Sequence, residues 1–509
     1  MVSLFDIGAS QPCPDQFNMA AYVLARARSL GAKTALEILG SGTAQSFSYD
    51  ALEAAVLGTA TGLLNQGLAP GDRVLMRLGN TVEFPLTYLA CLAVDLVPVP
   101  TSAQLTQPEV DVICHEIAPS LIVAGDAAVR PATPPCPVLD EDALVSMRSL
   151  PPARYIMGDP GRLGYIIYTS GTSGLPRAVC HAHRAVWARR MMWDGWYDLQ
   201  ESDRMLHAGA FNWTYTLGTG LMDPWACGAT ALIPEPGTKP AALPALLRNH
   251  DATLFAAAPG VFRQILKSGK SISAPTLRHA LCAGEKLPAT TRTAWEAATG
   301  TRIYEAYGMS ECSTFVSGSP ARPPPDGASG YPQPGRRVAV ISEGQPVGFN
   351  TEGVLGVDAA DPGLMLGYWQ APQETRARFS GTWFLTGDSV SMAADGAITY
   401  LGRADDMMNA GGFRVSPLEV ESVLNAHPDV QESAVAEVRL KADTTVIAAF
   451  YVAETSLAEN ALSGFAAARL ARYKMPRLFI PVPELPKGAN GKLLRKVLRQ
   501  KYEEANDQT

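Results

Sequence analysis

From about residue 20 to residue 400, apolar β-rich runs alternate with Ala/Leu-rich stretches of helical length, a pattern that few architectures satisfy. RVLMRL (73–78), LGYIIY (163–168), TALIP (230–234) and RVAVI (337–341) read as strands, and DALEAAVLGTATGLLNQG (50–67) as a helix. The alternation predicts an α/β fold, a large N-terminal domain of layered α/β sheets. The Pro/Gly-dense PARPPPDGASGYPQPGRR (320–337) then introduces the short strands VAVIS, EGVLGVD and GAITYLG. They predict a β-rich subdomain over about 320–402 that closes an N-terminal domain of residues 1–402.

The pattern shifts at GRADDMMNAGG (402–412), and a domain boundary is expected at Gly402–Asp406. A capped helix follows in SPLEVESVLNAH, with Ser416 as N-cap, Pro417 at the first helical position and Glu419 at the third. The remaining hundred or so residues alternate helix and strand, enough for a small α+β C-terminal domain.

The 49 acidic against 42 basic side chains give a net charge of −7, which argues against a general nucleic-acid binder or a protein of anionic membranes. One basic region stands out: between Arg469 and Lys501, ten Lys or Arg face the single acid Glu484. A polyanionic small ligand could dock there, although a solvated basic helix has the same composition. The eight cysteines form no C-x-x-C pair, so neither a zinc site nor a disulfide framework is suggested. No basic n-region with an apolar core opens the chain, and no run reaches the ~20 apolar residues of a membrane span. A cytoplasmic protein is expected.

In the run YTSGTSGLPRAVCHAHRA (168–185), the stretch YTSGTSGLPR packs Ser, Thr and Gly behind an apolar strand and closes on the cation Arg177. Small residues leave backbone N–H groups and hydroxyls free to wrap phosphate oxygens, so Thr169, Ser170, Gly171, Thr172, Ser173 and Gly174 read as a triphosphate cradle. No Gly-Lys-Ser/Thr follows at Walker A spacing. His181 and His183, two residues apart, do not share a helix face for a metal. They and His207 read as packing or loop-supporting side chains.

Together with YEAYGMSEC (304–312), CAGEKLP (282–288), WFLTGD (383–388), GRADDMMNAGGFRVSPLEVE (402–421), LARYKMP (470–476) and PKGANGKLLR (486–495), the cradle resembles the adenylate-forming, AMP-binding enzymes. The match runs in order over nearly the whole chain, and its pattern is most similar to benzoate-CoA ligases and medium-chain acyl-CoA synthetases. The resemblance implies that Tyr307 stacks on adenine and that Glu311 holds the Mg²⁺ bridging the ATP phosphates. It implies further nucleotide contacts at Gly284, Glu285, Glu305, Ala306, Gly308 and Ser310, ribose hydroxyls on Asp388, and a cationic contact from Arg403. Lys492 would neutralise the substrate carboxylate and α-phosphate in the transition state. Residues 403–406 would form a hinge at Asp405, residues 407–509 a mobile C-terminal domain, and Gly411, Gly412 and Arg414 the tunnel for coenzyme A. Glycine suits such a passage because it has no Cβ.

The chain departs from the family pattern where Pro176, Arg177 and Ala178 replace the usual Pro-Lys-Gly. Arginine keeps the charge and offers a fork suited to phosphate. The acid pocket is expected from FNWTYTLGTG (211–220), the AGE strand and CSTF (312–315). Trp213, Thr214, Tyr215, Ala283, Thr314 and Phe315 would make it mostly apolar and aromatic. With no Lys or Arg in these segments poised for a second carboxylate, an aryl or short-to-medium-chain monocarboxylate is expected. The implied partners are that acid, ATP, Mg²⁺ and free coenzyme A, since no carrier domain follows Lys492. The oligomeric state is open, a homodimer included. Two other readings stand beside the ligase: a stand-alone adenylating enzyme that loads a carrier protein, and a non-catalytic nucleotide-binding relative.

Overall fold

The computed structural model describes residues 2–8, 11–40, 45–169, 177–267, 269, 271–404, 406–410, 413–441, 444–454, 457, 459–470, 472–488 and 493–506. The fold is α/β, with mixed sheets in a large N-terminal domain and a smaller C-terminal part. By contacts the chain forms two compact units. One comprises Met1–Leu4, Ala339–Gly356 and Leu385–Thr509, the other Phe5–Val338 and Val357–Phe384.

The larger unit is built on a nine-stranded sheet. Its order is Tyr331–Pro332, Ser313–Ser317, Ile303–Met309, His279–Ala283, Leu254–Ala257, Arg204–His207, Thr230–Pro234, Thr34–Leu39 and Gln45–Ser48. The strands from Ile303–Met309 through Thr34–Leu39 run parallel, with antiparallel strands outside them. A parallel sheet is covered on both faces, and side chains alternate accordingly. Leu206, Leu232, Phe255, Ala280 and Cys282 enter one core cluster, while Met205, Leu254, Ala256, Leu281 and Ala283 enter another. A four-stranded parallel sheet (Val97–Pro100, Arg73–Arg77, Leu121–Ala124, Val138–Leu139) and a three-stranded antiparallel one (Gly367–Tyr368, Arg177–Ala182, Leu163–Thr169) complete it.

Sequence chemistry sets the helix ends. The helix Tyr49–Asn65 starts where the Ser48 hydroxyl accepts from the Ala51 N–H at 3.2 Å. It buries Leu52, Val56, Ala60 and Leu63, the spacing of one helix face. Each large apolar side chain so buried contributes about 1.5–3 kcal/mol. No helix among the described residues is long and apolar enough to cross a membrane.

In the smaller unit, Glu432–Lys441 and Thr444–Val452 pair antiparallel and Leu478–Pro481 adds in parallel. Val435, Ile447 and Ala449 pack on one face of this sheet, and Ala434, Ala436, Ala448 and Phe450 on the other. The helix Pro417–Leu424 begins as its sequence predicts: the Ser416 hydroxyl accepts from the Glu419 N–H, with proline in the first turn. Its Glu421 is buried and accepts from Arg495 Nε at 2.9 Å, Arg495 Nη2 at 2.6 Å and the Val435 N–H at 2.7 Å. That pair ties the helix Arg495–Asn506 to Pro417–Leu424.

Removing one member of a buried ion pair strands the other charge, at a cost of about 3–5 kcal/mol, whereas replacing both with apolar groups costs little. Glu421→Leu and Arg495→Met are each expected to lower the urea midpoint markedly. The double variant should lie closer to the parent, as urea titration followed by circular dichroism will report.

Candidate active site

Parallel strands bring their carboxyl ends to one edge of a sheet, where the following turns leave a crevice. Ile303–Met309, His279–Ala283, Leu254–Ala257 and Arg204–His207 are consecutive neighbours, so the segments after Met309, Ala283 and His207 gather at that edge. The Trp213 indole lies where a Cβ on Gly284 would be, and Gly284 holds a φ of +100° that a side chain would strain. Tyr215 stands edge-on to Trp213 at 5.1 Å between ring centroids and donates to the Leu281 carbonyl at 3.1 Å. Ala283 is buried in the same cluster, and Thr214 is half-buried. The Thr314 hydroxyl reaches Met192 Sδ at 2.6 Å. Phe315 is fully buried and backs the Tyr307 ring edge-on at 5.5 Å.

Gly308 permits this packing. Its strand and Ser313–Ser317 shift register at Tyr307/Gly308, and a Cβ there would overlap the backbone of Ser313 and Thr314. Beyond the bulge, Glu311 Oε1 accepts from the Tyr368 hydroxyl at 2.8 Å. Burial, reinforced by Glu311, pushes that phenol up to about 12, so it remains a donor. Ser310 is half-buried, and its carbonyl accepts at 2.7 Å from His181 Nε2, which therefore carries the proton. His181 is buried, stacks on Tyr165, and is held neutral by burial down to about 4. It supports the loop that carries Glu311.

Thr169 and Arg177 face each other across the antiparallel pair Leu163–Thr169 and Arg177–Ala182. The Arg177 guanidinium lies 5.2 Å from the centroid of the Tyr368 ring and 3.0 Å from Glu374 Oε2. One tyrosine thus touches the cradle cation through its ring and the Glu311 carboxylate through its hydroxyl. Neither Tyr368 nor Glu374 was singled out from the sequence: they lie 57 and 63 residues beyond Glu311, in no motif that marks a pairing. Ala178 is buried in regular strand, its carbonyl accepting from Trp369 N–H, so no glycine is needed there.

Among the remaining expected nucleotide contacts, Glu305 is buried and bonded to Arg292 at 3.1 Å, with Lys286 at 3.8 Å. Burial pushes its carboxyl up, and the two cations oppose that rise. Ala306 is buried beside it, and Glu285 is half-buried. His183 and His207 are also buried. His183 Nδ1 accepts from the Met19 N–H and His207 packs on Tyr215 at 4.5 Å. No group of three His, Cys, Asp or Glu that could hold a metal occurs among the described residues.

In the smaller unit, Asp388 and Arg403 are directly paired across antiparallel strands, and Arg403 Nη1 donates to Asp388 Oδ1 at 3.1 Å and to the Thr386 carbonyl at 3.2 Å. The positive φ of Gly387 (+76°) lets the chain turn beneath that guanidinium. Asp406 lies 3.6 Å from Arg495. The basic C-terminal run is partly laced by acids from other elements: Lys474 with Glu419, Lys487 with Glu432, Arg495 with Glu421. Ser170, Gly171, Thr172, Ser173, Gly174, Asp405, Gly411, Gly412 and Lys492 lie outside the described residues, as does the side chain of Arg414.

The AMP-binding enzyme model matches residues 24–369 and the AMP-binding enzyme C-terminal domain model residues 419–492. The chain is 30% identical to a benzoate–CoA ligase of Thauera aromatica over 90% of its own length and 91% of that protein. It is 29% identical to the human mitochondrial acyl-coenzyme A synthetase ACSM3 over 85% of its own length and 79% of that protein. The ATP-bound crystal structure of MatB from Rhodopseudomonas palustris superposes with a TM-score of 0.86 at 27% identity, covering 96% of this chain and all of that one. With both parts matched in chain order, the protein belongs to the AMP-binding enzyme family.

Proposed function

We propose that this chain is an AMP-forming carboxylate–CoA ligase for an aryl or short-to-medium-chain monocarboxylic acid. Family membership and the likeness to a benzoate–CoA ligase and an acyl-coenzyme A synthetase support the reaction class. The observation that carries the reading at residue level is the convergence of Arg177 and Glu311 on Tyr368, at the edge where Trp213, Tyr215 and Ala283 also gather.

In the first half-reaction a carboxylate oxygen of the acid attacks the α-phosphorus of ATP, and pyrophosphate leaves with the bond's electron pair. Thr169 and Ser170 to Gly174 cradle the phosphates, and Arg177 adds its charge there. Tyr307 carries the adenine, with Gly284, Glu285, Glu305, Ala306, Gly308 and Ser310 beside it, while Asp388 and Arg403 take the ribose side. Glu311 is a hard oxygen donor oriented by Tyr368. It fits Mg²⁺, which needs only one or two protein carboxylates alongside phosphate and water oxygens. When bound, Mg²⁺ would neutralise phosphate charge. Lys492 supplies positive charge where the transition state concentrates negative charge. In the second half-reaction the thiolate sulfur of coenzyme A attacks the adenylate carbonyl and AMP departs. The C-terminal domain, 407–509, turns about a hinge at 403–406 centred on Asp405, bringing Gly411, Gly412 and Arg414 to the thiol's path. The acid lies against Trp213, Thr214, Tyr215, Ala283 and Thr314, with Phe315 behind.

Incubation with Mg-ATP, coenzyme A and a panel of aryl and C4 to C12 acids should release AMP and pyrophosphate. Release of ADP sinks the reading, and adenylate formation without turnover of free coenzyme A makes the protein a carrier-loading enzyme instead. Arg177→Ala should lower kcat/KM for ATP by one to two decades, the ~1.5–3 kcal/mol of a charged contact. Arg177→Lys should retain most of it, and an unchanged alanine variant removes Arg177 from the site. Lys492→Ala should slow adenylation by about two to three decades, ~2.7–4 kcal/mol. It should still convert supplied acyl-adenylate and coenzyme A to thioester, and equal loss of both half-reactions would show one static site performing both.

A further inference from the structure

Beside the acid segments the chain twice makes i→i+5 turns, at Trp193–Tyr197 and Thr216–Met222. Such wide turns are rare and recur at functional sites. Arg189 lies between them, 5% exposed. Its Nε donates to Asp223 Oδ1 and Oδ2 at 3.1 and 3.0 Å, and its Nη2 to Asp223 Oδ2 at 2.6 Å. The same Nη2 reaches the Tyr197 hydroxyl of the first turn at 3.0 Å and the Thr219 hydroxyl of the second at 3.3 Å. Tyr197 in turn donates to Asp223 Oδ2 at 2.8 Å. A Cβ on Gly218 would overlap the guanidinium, so the second turn is fitted around it.

The remaining arm of the fork leaves this cluster, since Nη1 donates to the hydroxyl of Ser313. Ser313 holds a φ of +59°, a left-handed conformation that a non-glycine residue keeps only when its surroundings impose it. It stands two residues after Glu311 and directly before Thr314. Asp223 neutralises the arginine, and burial keeps it from any solvated ligand. Its bonds hold segments instead.

We propose that Arg189 is a positioning residue for the acid substrate: by joining Ser313 to Thr219, Tyr197 and Asp223, it fixes the Thr314 side of the acid pocket against the Trp213–Tyr215 side. The inference rests on the acid-ligase reading and on those residues lining its pocket. Lysine keeps the charge but cannot bond Asp223, Thr219 and Ser313 at once, because it lacks the planar fork.

Steady-state AMP release is the readout, with KM determined separately for the best acid and for ATP. Ser313→Ala should raise the acid KM about fivefold and Arg189→Lys about tenfold or more, each with a smaller fall in kcat and an ATP KM within about twofold. The double variant should be no worse than Arg189→Lys, since both changes break one connection. An ATP KM that rises in step with the acid KM, or effects that multiply in the double variant, would overturn the proposal. If Arg189→Lys does not fold, an unchanged acid KM in Ser313→Ala overturns it alone. A parent protein that releases no AMP with any acid fails the ligase reading and this inference with it. AMP release without the acid-specific change fails only the inference.

Discussion

The parallel pairing of Ile303–Met309, His279–Ala283, Leu254–Ala257 and Arg204–His207 is the constraint on which the site depends. Strands covered on both faces admit few polar side chains, because an unbonded polar group buried there costs several kcal/mol, about 2–7. Polar chemistry is therefore pushed to the strand ends, and parallel direction places those ends together. Gly284, Ser310 and Glu311 follow their strands at once. His207 closes its strand, buried, and burial holds its imidazole neutral, down to about 3. It belongs to the packed end of the strand, with its ring on Tyr215.

Much of this was legible because it is local. The alternation of apolar runs and helical stretches expresses the layered sheets, and Ser416-Pro417 marks a helix start through the chemistry of one turn. The candidate site residues were legible only as an ordered set of motifs, since a Gly-Asp pair or a Glu after a turn has no meaning by itself. What the sequence hid is long-range pairing. Tyr368 reaches Glu311 across 57 residues, and Asp223 reaches Arg189 across 34. Glu305 reads as one more residue of a nucleotide motif, yet its carboxylate is engaged with Arg292 on the neighbouring helix. Hydropathy patterns report which face is buried, not which charge awaits a polar residue there.

The departure at Arg177-Ala178 becomes intelligible once its surroundings are known. Ala178 lies in an ordinary strand and places its methyl group in a core with Ile166 and Cys180. The requirement for glycine is therefore absent at that position. Arg177 places its guanidinium 5.2 Å from the centroid of the Tyr368 ring, a cation–π approach made more often by guanidinium than by ammonium. The substitution thus fits the same tyrosine that orients Glu311. A cation at this position and a carboxylate at 311 both contact one side chain, Tyr368.

Buried ion pairs are weak evidence for stability, because well-packed apolar residues usually do as well. Glu421 with Arg495 and Arg189 with Asp223 need another reason, and geometry provides one. An apolar side chain can fill space between two segments but cannot fix their relative direction. A guanidinium with five donors in one plane binds each partner at a set angle. Arg495 uses that property to join two helices through a bidentate pair. Arg189 spreads its donors over Asp223, Tyr197, Thr219 and Ser313, from three separate stretches of chain. The glycine at 218 is the complement of that choice, since the fork can lie flat against the turn only where no side chain intervenes. A pocket wall held by directional bonds keeps its width when the substrate leaves. That permanence is what a site selecting among acids of similar polarity requires.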